Sequence, residues 1–337
     1  MKIMNASYQR VRDEEFHNPL KKIERIARIC YKSEDNITED SYKKMTKALL
    51  SRKHLAMFEH SSLVFEVSKS IFQAVGVAAA VITTNTNNDG RIMNICRIHR
   101  TRTNVGSAER FVVSGNIRAF YEFFEKTVEF KVNNSSLADL YWNVNSRIDN
   151  LFEIPEYDVP ATTFGIKEIT DMSILTPAER LIHETISVIF TCDRGVTHEL
   201  VRMRDASFAQ ESTRYCNYQL GKFGNEISVI RPCFFEENSH LYQQWLSAMS
   251  NAEMSYNNLI AEGAKAQEAR AVLPTSVKAD IALTTNLYEW KHILNLRACD
   301  ATGPAHPQMK EIMVPLFREM KAEYPEILED LSLPDEK

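Results

Sequence analysis

Only ten glycines occur among the 337 residues, and none falls in a G-x-G-x-x-G or G-x-x-x-x-G-K-[ST] pattern. Those turns let a doubly wound parallel sheet or a P-loop bring its backbone against a diphosphate, so a dinucleotide bound here needs another kind of cradle. With 44% hydrophobic and 25% charged residues, the chain can bury one large core or two modest ones, which excludes a mainly disordered protein. The formal charge of -5 excludes a polycation built to coat nucleic acid or anionic lipid, so any anion must be held by a local pocket. The apolar run 75–83 is far short of the roughly 20 residues of a membrane helix. The opening MKIMNASYQRVRDEEF carries acids and no apolar core of a signal peptide, so a cytoplasmic protein is expected, with no membrane partner. Cysteines 30, 96, 192, 216, 233 and 299 lie far apart without a C-x-x-C, which points to reduced thiols and no metal site.

Asn36–Thr38 ahead of Tyr42, Met45, Leu49 and Leu50 reads as a capped amphipathic helix ending near Lys53, followed by a strand over 62–67. From about Ser68 to Ile186 regularity fades, leaving a polar stretch at 84–90, an Arg-rich piece, one helical run near 118–130 and an Asn/Ser patch at 133–136. This segment has the look of an insertion or a small second lobe. Ser187–Thr191 reads as a second buried strand, with Thr197 placed to cap a helix carrying His198 to Arg204. Leu241, Trp245, Ala248, Ala252, Tyr256 and Leu259 mark a core-facing helix. Further helices are expected over 287–297 and 307–320, with Pro307 in a first turn and Pro315 as a kink or break. Met309, Ile312, Met313, Leu316 and Met320 form a packing stripe, and no internal repeat or heptad is present.

The densest polar cluster runs from Asp193 to Tyr215. On a helix His198 and Arg202 would share a face while Arg204 turned away, and Ser207, Ser212, Thr213 and Arg214 would follow in a turn. Hydroxyls, backbone N–H groups and a guanidinium in such a turn suit a phosphate. A solvated helix face fits the composition equally, since Asp193, Glu199, Asp205 and Glu211 balance Arg194, Arg202, Arg204 and Arg214.

The order of residues separates these readings. Arg202-x-Arg204, seven residues, Ser212 and a closing Arg214-Tyr215 resemble the signature of flavin-dependent thymidylate synthases, as does the lead-in RGVTHELVR over 194–202. Three other blocks fall in the family's order: His54 with Phe58-Glu59-His60, then Glu268-Ala-Arg270 through Pro274, then Asn286 through Glu289, Trp290, His292 and Arg297 to Ala305–Gln308. The resemblance covers about 20–67 and 187–325, making a core of 1–67 and 187–337 with 68–186 inserted. It implies a mixed α/β (α+β) fold of helices around an antiparallel sheet, and a homotetramer with flavin sites between subunits. It also implies methylation of dUMP to dTMP, with FAD as cofactor, NADPH as reductant and methylenetetrahydrofolate as carbon donor. By the same resemblance His54, Arg202, Met203, Arg204, Asn286 and His292 match flavin-contacting positions. Glu199, Arg202, Gln210, Glu211, Ser212, Thr213, Arg214 and Arg270 match positions that hold dUMP, and Arg297 matches the catalytic arginine against the uracil ring.

The chain departs from the pattern at Met203, where the signature has His, at Ala209, often Asn, and at Ala56, a family threonine. A thioether packs on an aromatic face but donates no proton, so a catalytically silent flavin- or nucleotide-binding homologue is the rival reading. Arg91–Arg102 is basic and motivates a nucleic-acid rival; it echoes the signature at His99-Arg100-Thr-Arg102, but the position eight residues on is Arg110 and not Ser. Cys233 and Cys216 have no adjacent His to make a thiolate, so structural thiols are expected. His17, His183 and His240 are expected to be exposed or capping, and His60 suits a core position.

Overall fold

The computed structural model describes residues 1–12, 16, 18–86, 97–157, 165–214 and 226–336. The strands are β1 (Lys2–Met4), β2 (Ser7–Val11), β3 (Ser62–Val67), β4 (His99–Val105), β5 (Ala108–Asn116), β6 (Ile166–Glu168), β7 (Thr185–Asp193), β8 (Ser207–Gln210), β9 (Ser228–Ile230) and β10 (Lys278–Asn286). The first helices are α1 (Pro19–Ile29), α2 (Ser41–Ser51), α3 (Lys69–Thr86), α4 (Ile117–Glu129), α5 (Ser135–Ser146) and α6 (Pro177–His183). They are followed by α7 (Arg194–Leu200), α8 (His240–Ala261), α9 (Ala266–Ala269), α10 (Leu287–Arg297) and α11 (Pro307–Glu323). Two compact units result: one of Met1–Val11, Ile26–Asn36 and Ile186–Lys337, the other of Arg12–Arg25 and Ile37–Thr185. Helices with antiparallel sheets make the chain α+β, as expected. No helix among the described residues is long and apolar enough to cross a membrane.

In the first unit the sheet order is β2-β7-β10-β8, antiparallel for β2 with β7 and for β8 with β10. The short β1 pairs with β9 in parallel, a departure from an all-antiparallel arrangement. β10 is closed on both faces, its residues 278–285 all buried, and α7 and α10 pack against it. Trp290 on α10 is wholly enclosed, its indole N–H donating to the Ile186 carbonyl at 3.0 Å and its ring 6.5 Å from that of Phe190. The stripe Met309, Ile312, Met313, Leu316 and Met320 is fully buried on α11. That burial explains why Pro315, exposed within the helix, neither breaks nor ends it: one missing backbone bond costs about 3 kcal/mol, less than five enclosed apolar side chains contribute. α8 forms as expected: Tyr256 is fully buried and Trp245 and Leu259 pack against the same core, while Tyr242 and Met249 join the buried face and Leu241 and Ala248 are exposed.

The second unit corrects the reading of its middle as irregular. α3 is an Ala-rich helix, β4 and β5 form an antiparallel hairpin through the Val105–Ala108 turn, and the sheet order is β4-β5-β3-β6. Asn116 and Asn134 cap α4 and α5, each accepting the N–H three residues on. Phe124, Tyr141 and Tyr157 meet at ring separations of 5.0 to 5.5 Å. α2 starts at Ser41 rather than 38, and its cap, Asp40, makes no side-chain capping bond but pairs with Lys43 at 2.7 Å. In the basic stretch, Arg97 pairs with Glu59 at 2.7 Å, Arg100 lies over the Phe72 ring, and Arg102 pairs with Glu109. Arg97, Arg100 and Arg102 thus each have a partner within the fold; 91–96 lie outside the described residues, as do His17, Cys96 and Cys216.

His183 is buried, contrary to expectation, between Thr101 Oγ1 on Nε2 and Ser114 Oγ on Nδ1, both at 2.7 Å. Burial, with nearby His99, drives its pKa down to about 4. The folded imidazole is therefore neutral where an unfolded one, near 6.5, takes a proton. Stability from this residue is complete above pH 6.5 and falls as the pH drops towards 4. Between pH 7 and pH 5 the protein should lose about 2 kcal/mol through His183, and His183→Gln should flatten that part of the urea-unfolding profile. Identical pH profiles for the two proteins would remove the assignment.

Candidate functional site

The signature begins where β7 runs into α7. Asp193, not Thr197, caps this helix, its Oδ1 accepting the Val196 N–H at 2.7 Å. Thr197 lies within the helix and donates to the Arg194 carbonyl at 3.0 Å. The helix therefore starts early and stops at Leu200, so Arg202, Met203 and Arg204 fall in the turn beyond it, and the shared helical face expected for His198 and Arg202 does not form. Arg202 and Arg204 are exposed and Met203 is half-buried. Burial pushes the Asp193 carboxyl up, while the Val196 N–H and Gln308 oppose the shift. Gln308 belongs to the Ala305–Gln308 block, whose His306 caps α11 by accepting the Gln308 N–H on Nδ1. That block anchors the start of α7 through its cap.

Thr285 Oγ1 donates to the Asp205 carbonyl at 2.5 Å, fastening the arginine turn to the end of β10. The next residue, Asn286, caps α10 with its side-chain oxygen on the Glu289 N–H at 3.0 Å, and α10 then exposes Tyr288 and His292, four apart on one side. Burial pushes the Glu289 carboxyl up, with His292 pulling the other way. At the far end of α10, Arg297 sends Nη1 to Glu199 Oε2 at 3.1 Å and Nη2 to the Glu199 carbonyl at 3.4 Å; its Nε is buried without a partner.

β8 carries the signature to its serine. Ser207 is buried in this strand rather than in a turn, and Ala209 faces Ala282 across the pair, both enclosed, which explains the small side chain there. Gln210 Nε2 donates to Thr197 Oγ1 at 2.9 Å. Ser212, Thr213 and Arg214 do follow in a turn: the Arg214 N–H donates to Ser212 Oγ at 3.3 Å, and Arg270 Nη1 to Thr213 Oγ1 at 3.4 Å. Glu211 is turned inward, 3% exposed, with Lys278 Nζ at 2.8 Å. Lys278 and Asp280 were invisible as site residues in the sequence, as was the exposed ring of Tyr288. Tyr215 lies outside the described residues, and His54 stands in the other unit, exposed at the cap of the 3-10 helix Leu55–His60.

Cys233 is exposed, but burial and the Glu311 carboxyl raise its thiol, which opposes a nucleophilic thiolate. Cys192 is buried and raised further. No group of His, Cys, Asp and Glu among the described residues could hold a metal ion.

The first unit, of helices and sheet, thus carries Arg202 and Arg204 in the turn after α7, Arg214 in the turn after β8 with Arg270 on its neighbour Thr213, and Arg297 at the end of α10. Residues 13–76 and 166–326 match the model of the family described as thymidylate synthase complementing protein, and the chain belongs to that family. It is 34% identical over 129 residues to the flavin-dependent thymidylate synthase of Pyrococcus furiosus, covering 38% of this chain and 51% of that protein. To the enzyme of the same description from Pyrococcus abyssi it is 34% identical over 161 residues, covering 48% and 62%. The chain thus spans about half to three-fifths of the length of these relatives. Among solved structures it is similar to a UMP/dUMP methylase from Streptomyces cacaoi bound with 5-Br dUMP, at 22% identity and a TM-score of 0.33, covering 42% of this chain and 66% of that one. That likeness is too loose to carry an inference.

Proposed function

We propose that the protein is a flavin-dependent thymidylate synthase that methylates dUMP to dTMP. The observation that carries this reading is the end of the signature as a polar turn, with Ser212, Thr213, Arg214 and Arg270 gathered there, at the other end of β8 from an arginine turn tied to the end of β10. The donor set suits FAD: exposed Arg202, Arg204 and His292 match a diphosphate, and half-buried Met203 and exposed Tyr288 offer surfaces for a flat ring. His54 and Asn286 complete the proposed flavin positions. Held there, FAD would supply hydride chemistry once reduced by NADPH, and methylenetetrahydrofolate would be the carbon donor.

The chain's own work is positioning and electrostatics. Ser212, Thr213, Arg214 and Arg270 hold the nucleotide phosphate, while Gln210 and Glu199 border the base and Arg202 serves both ligands. Arg297 stabilises negative charge on the uracil ring, its planar fork reaching two atoms at once. Glu211 acts from behind the turn. A homotetramer, a cytoplasmic location and an insertion of 68–186 belong to this proposal. Family matching leaves 77–165 unmatched, which supports the insertion's interior, while 68–76 and 166–186 fall in matched segments.

Met203 favours one second reading, a flavin protein without turnover, because a thioether between the two arginines can pack but not donate. The purified protein should be yellow, bleach with NADPH and turn over dUMP; a yellow protein without turnover selects the second reading, and a colourless one overturns both. If the turn holds phosphate, Arg214→Ala should weaken dUMP by about 10- to 100-fold in calorimetry while leaving uridine nearly unchanged. Equal losses for the two ligands would remove the phosphate role.

A further inference from the structure

The turn from Glu211 to Arg214 is held from behind by groups that lie outside the signature. The Glu211 N–H donates to the Asp280 carbonyl at 2.8 Å, Arg194 Nη2 to the Glu211 carbonyl at 3.0 Å, and the Ser212 N–H to the Cys30 carbonyl at 3.2 Å. The Glu211 carboxylate accepts Lys278 Nζ at 2.8 Å and the Asp280 N–H at 3.4 Å. Lys278 also reaches Asp280 Oδ2, and Asp280 accepts Lys32 Nζ at 2.8 Å and Thr191 Oγ1 at 2.7 Å. Lys278 and Asp280 are buried and Lys32 is half-exposed. Two cations and two anions therefore alternate through the interior, tying the end of β8 to β10, β7 and the segment after α1.

We propose that this quartet is the frame that presents Ser212, Thr213 and Arg214 to a nucleotide phosphate, and that Lys278, Asp280 and Lys32 are positioning residues for phosphate selectivity. The proposal rests on the phosphate reading of the turn given above. Its logic is the sign of the charges. Without Lys278 the carboxylates of Glu211 and Asp280 adjoin with no cation between them, in surroundings where like charges repel strongly. The relief open to them is movement of Glu211, and Ser212 is the next residue in the chain. A displaced serine costs a phosphate its donors and leaves a ligand without phosphate indifferent.

The test compares dUMP with uridine by calorimetry on the purified protein and its Lys278→Met, Lys278→Arg, Lys32→Met and Arg214→Ala variants. Lys278→Met is expected to lower the preference for dUMP over uridine by about tenfold or more, and Lys278→Arg, which keeps the cation, to recover most of it. A preference left unchanged, or both ligands weakened equally, overturns the proposal, because a merely structural role moves both together. Should Lys278→Met fail to fold, Lys32→Met acts at the half-exposed end of the chain of charges and is expected to lower the preference about threefold; no change there is equally fatal. If Arg214→Ala keeps the full preference, the phosphate reading itself fails and takes the proposal with it. If only that variant loses it, the reading stands and the frame does not.

Discussion

Arg297→Lys is expected to lower kcat for the proposed dUMP methylation by about 100-fold or more while dUMP affinity holds within about tenfold. Arg297 is committed at two nitrogens, with Nη1 and Nη2 on Glu199, and its Nε is buried without a partner. Lysine keeps the charge but replaces a rigid planar fork with a single ammonium on a flexible stem. An interaction made chiefly as charge develops on the ring shows in kcat; one made equally with bound substrate shows in affinity. Steady-state turnover with saturating dUMP, beside calorimetric dUMP binding, distinguishes the two. Undiminished turnover would remove Arg297 from the catalytic role.

Trp290→Ala is expected to destabilise the first unit by about 3 to 5 kcal/mol. The side chain is wholly enclosed at the start of α10, so its loss leaves a cavity and also leaves the Ile186 carbonyl without its donor. Trp290→Phe, which refills most of the space but not the N–H, should cost about 1 to 3 kcal/mol. Urea midpoints of the two variants separate the contributions, and equal losses would mean that packing contributes little beyond the hydrogen bond. Because α10 carries Asn286, His292 and Arg297, loss of this anchor should also reduce turnover at temperatures where the variant remains folded.

How far the sequence discloses all this depends on how local each cause is. The strand at 62–67, the helix near 118–130 and the helix at 287–297 are read nearly to the residue because alternation, spacing and caps coincide there. The start of α7 is misread because two capping residues, Asp193 and Thr197, lie four apart and both suit a helix; pairing of β7 up to Asp193 selects the earlier one. That shift moves Arg202 and Arg204 off the helix, a change in site geometry from a small error in a boundary. α3 escapes notice because its run of Ala and Val has no polar period, although it is a good helix former. Lys32, Glu211, Lys278 and Asp280 cannot be grouped by spacing at all, since Lys32 and Asp280 are 248 positions apart and meet only through the fold. The family blocks locate the signature; they do not say that Glu211 turns its carboxylate inward.

Gly76 on α3 lies under the Arg100 guanidinium, which stands over the Phe72 ring at 4.7 Å and donates to the Phe72 carbonyl at 2.7 Å; a Cβ at 76 would collide with it. Residue 76 is also where the first family-matched segment ends. The fitness of a side chain at 76 therefore depends on what occupies 100. Alanine there is a burden while the arginine lies across the helix, yet becomes an ordinary helix-favouring change, worth about 1 kcal/mol, once the arginine is gone. The order of substitutions then matters: with Arg100 removed first, position 76 can be filled without a clash, whereas filling 76 first must displace the arginine from the helix.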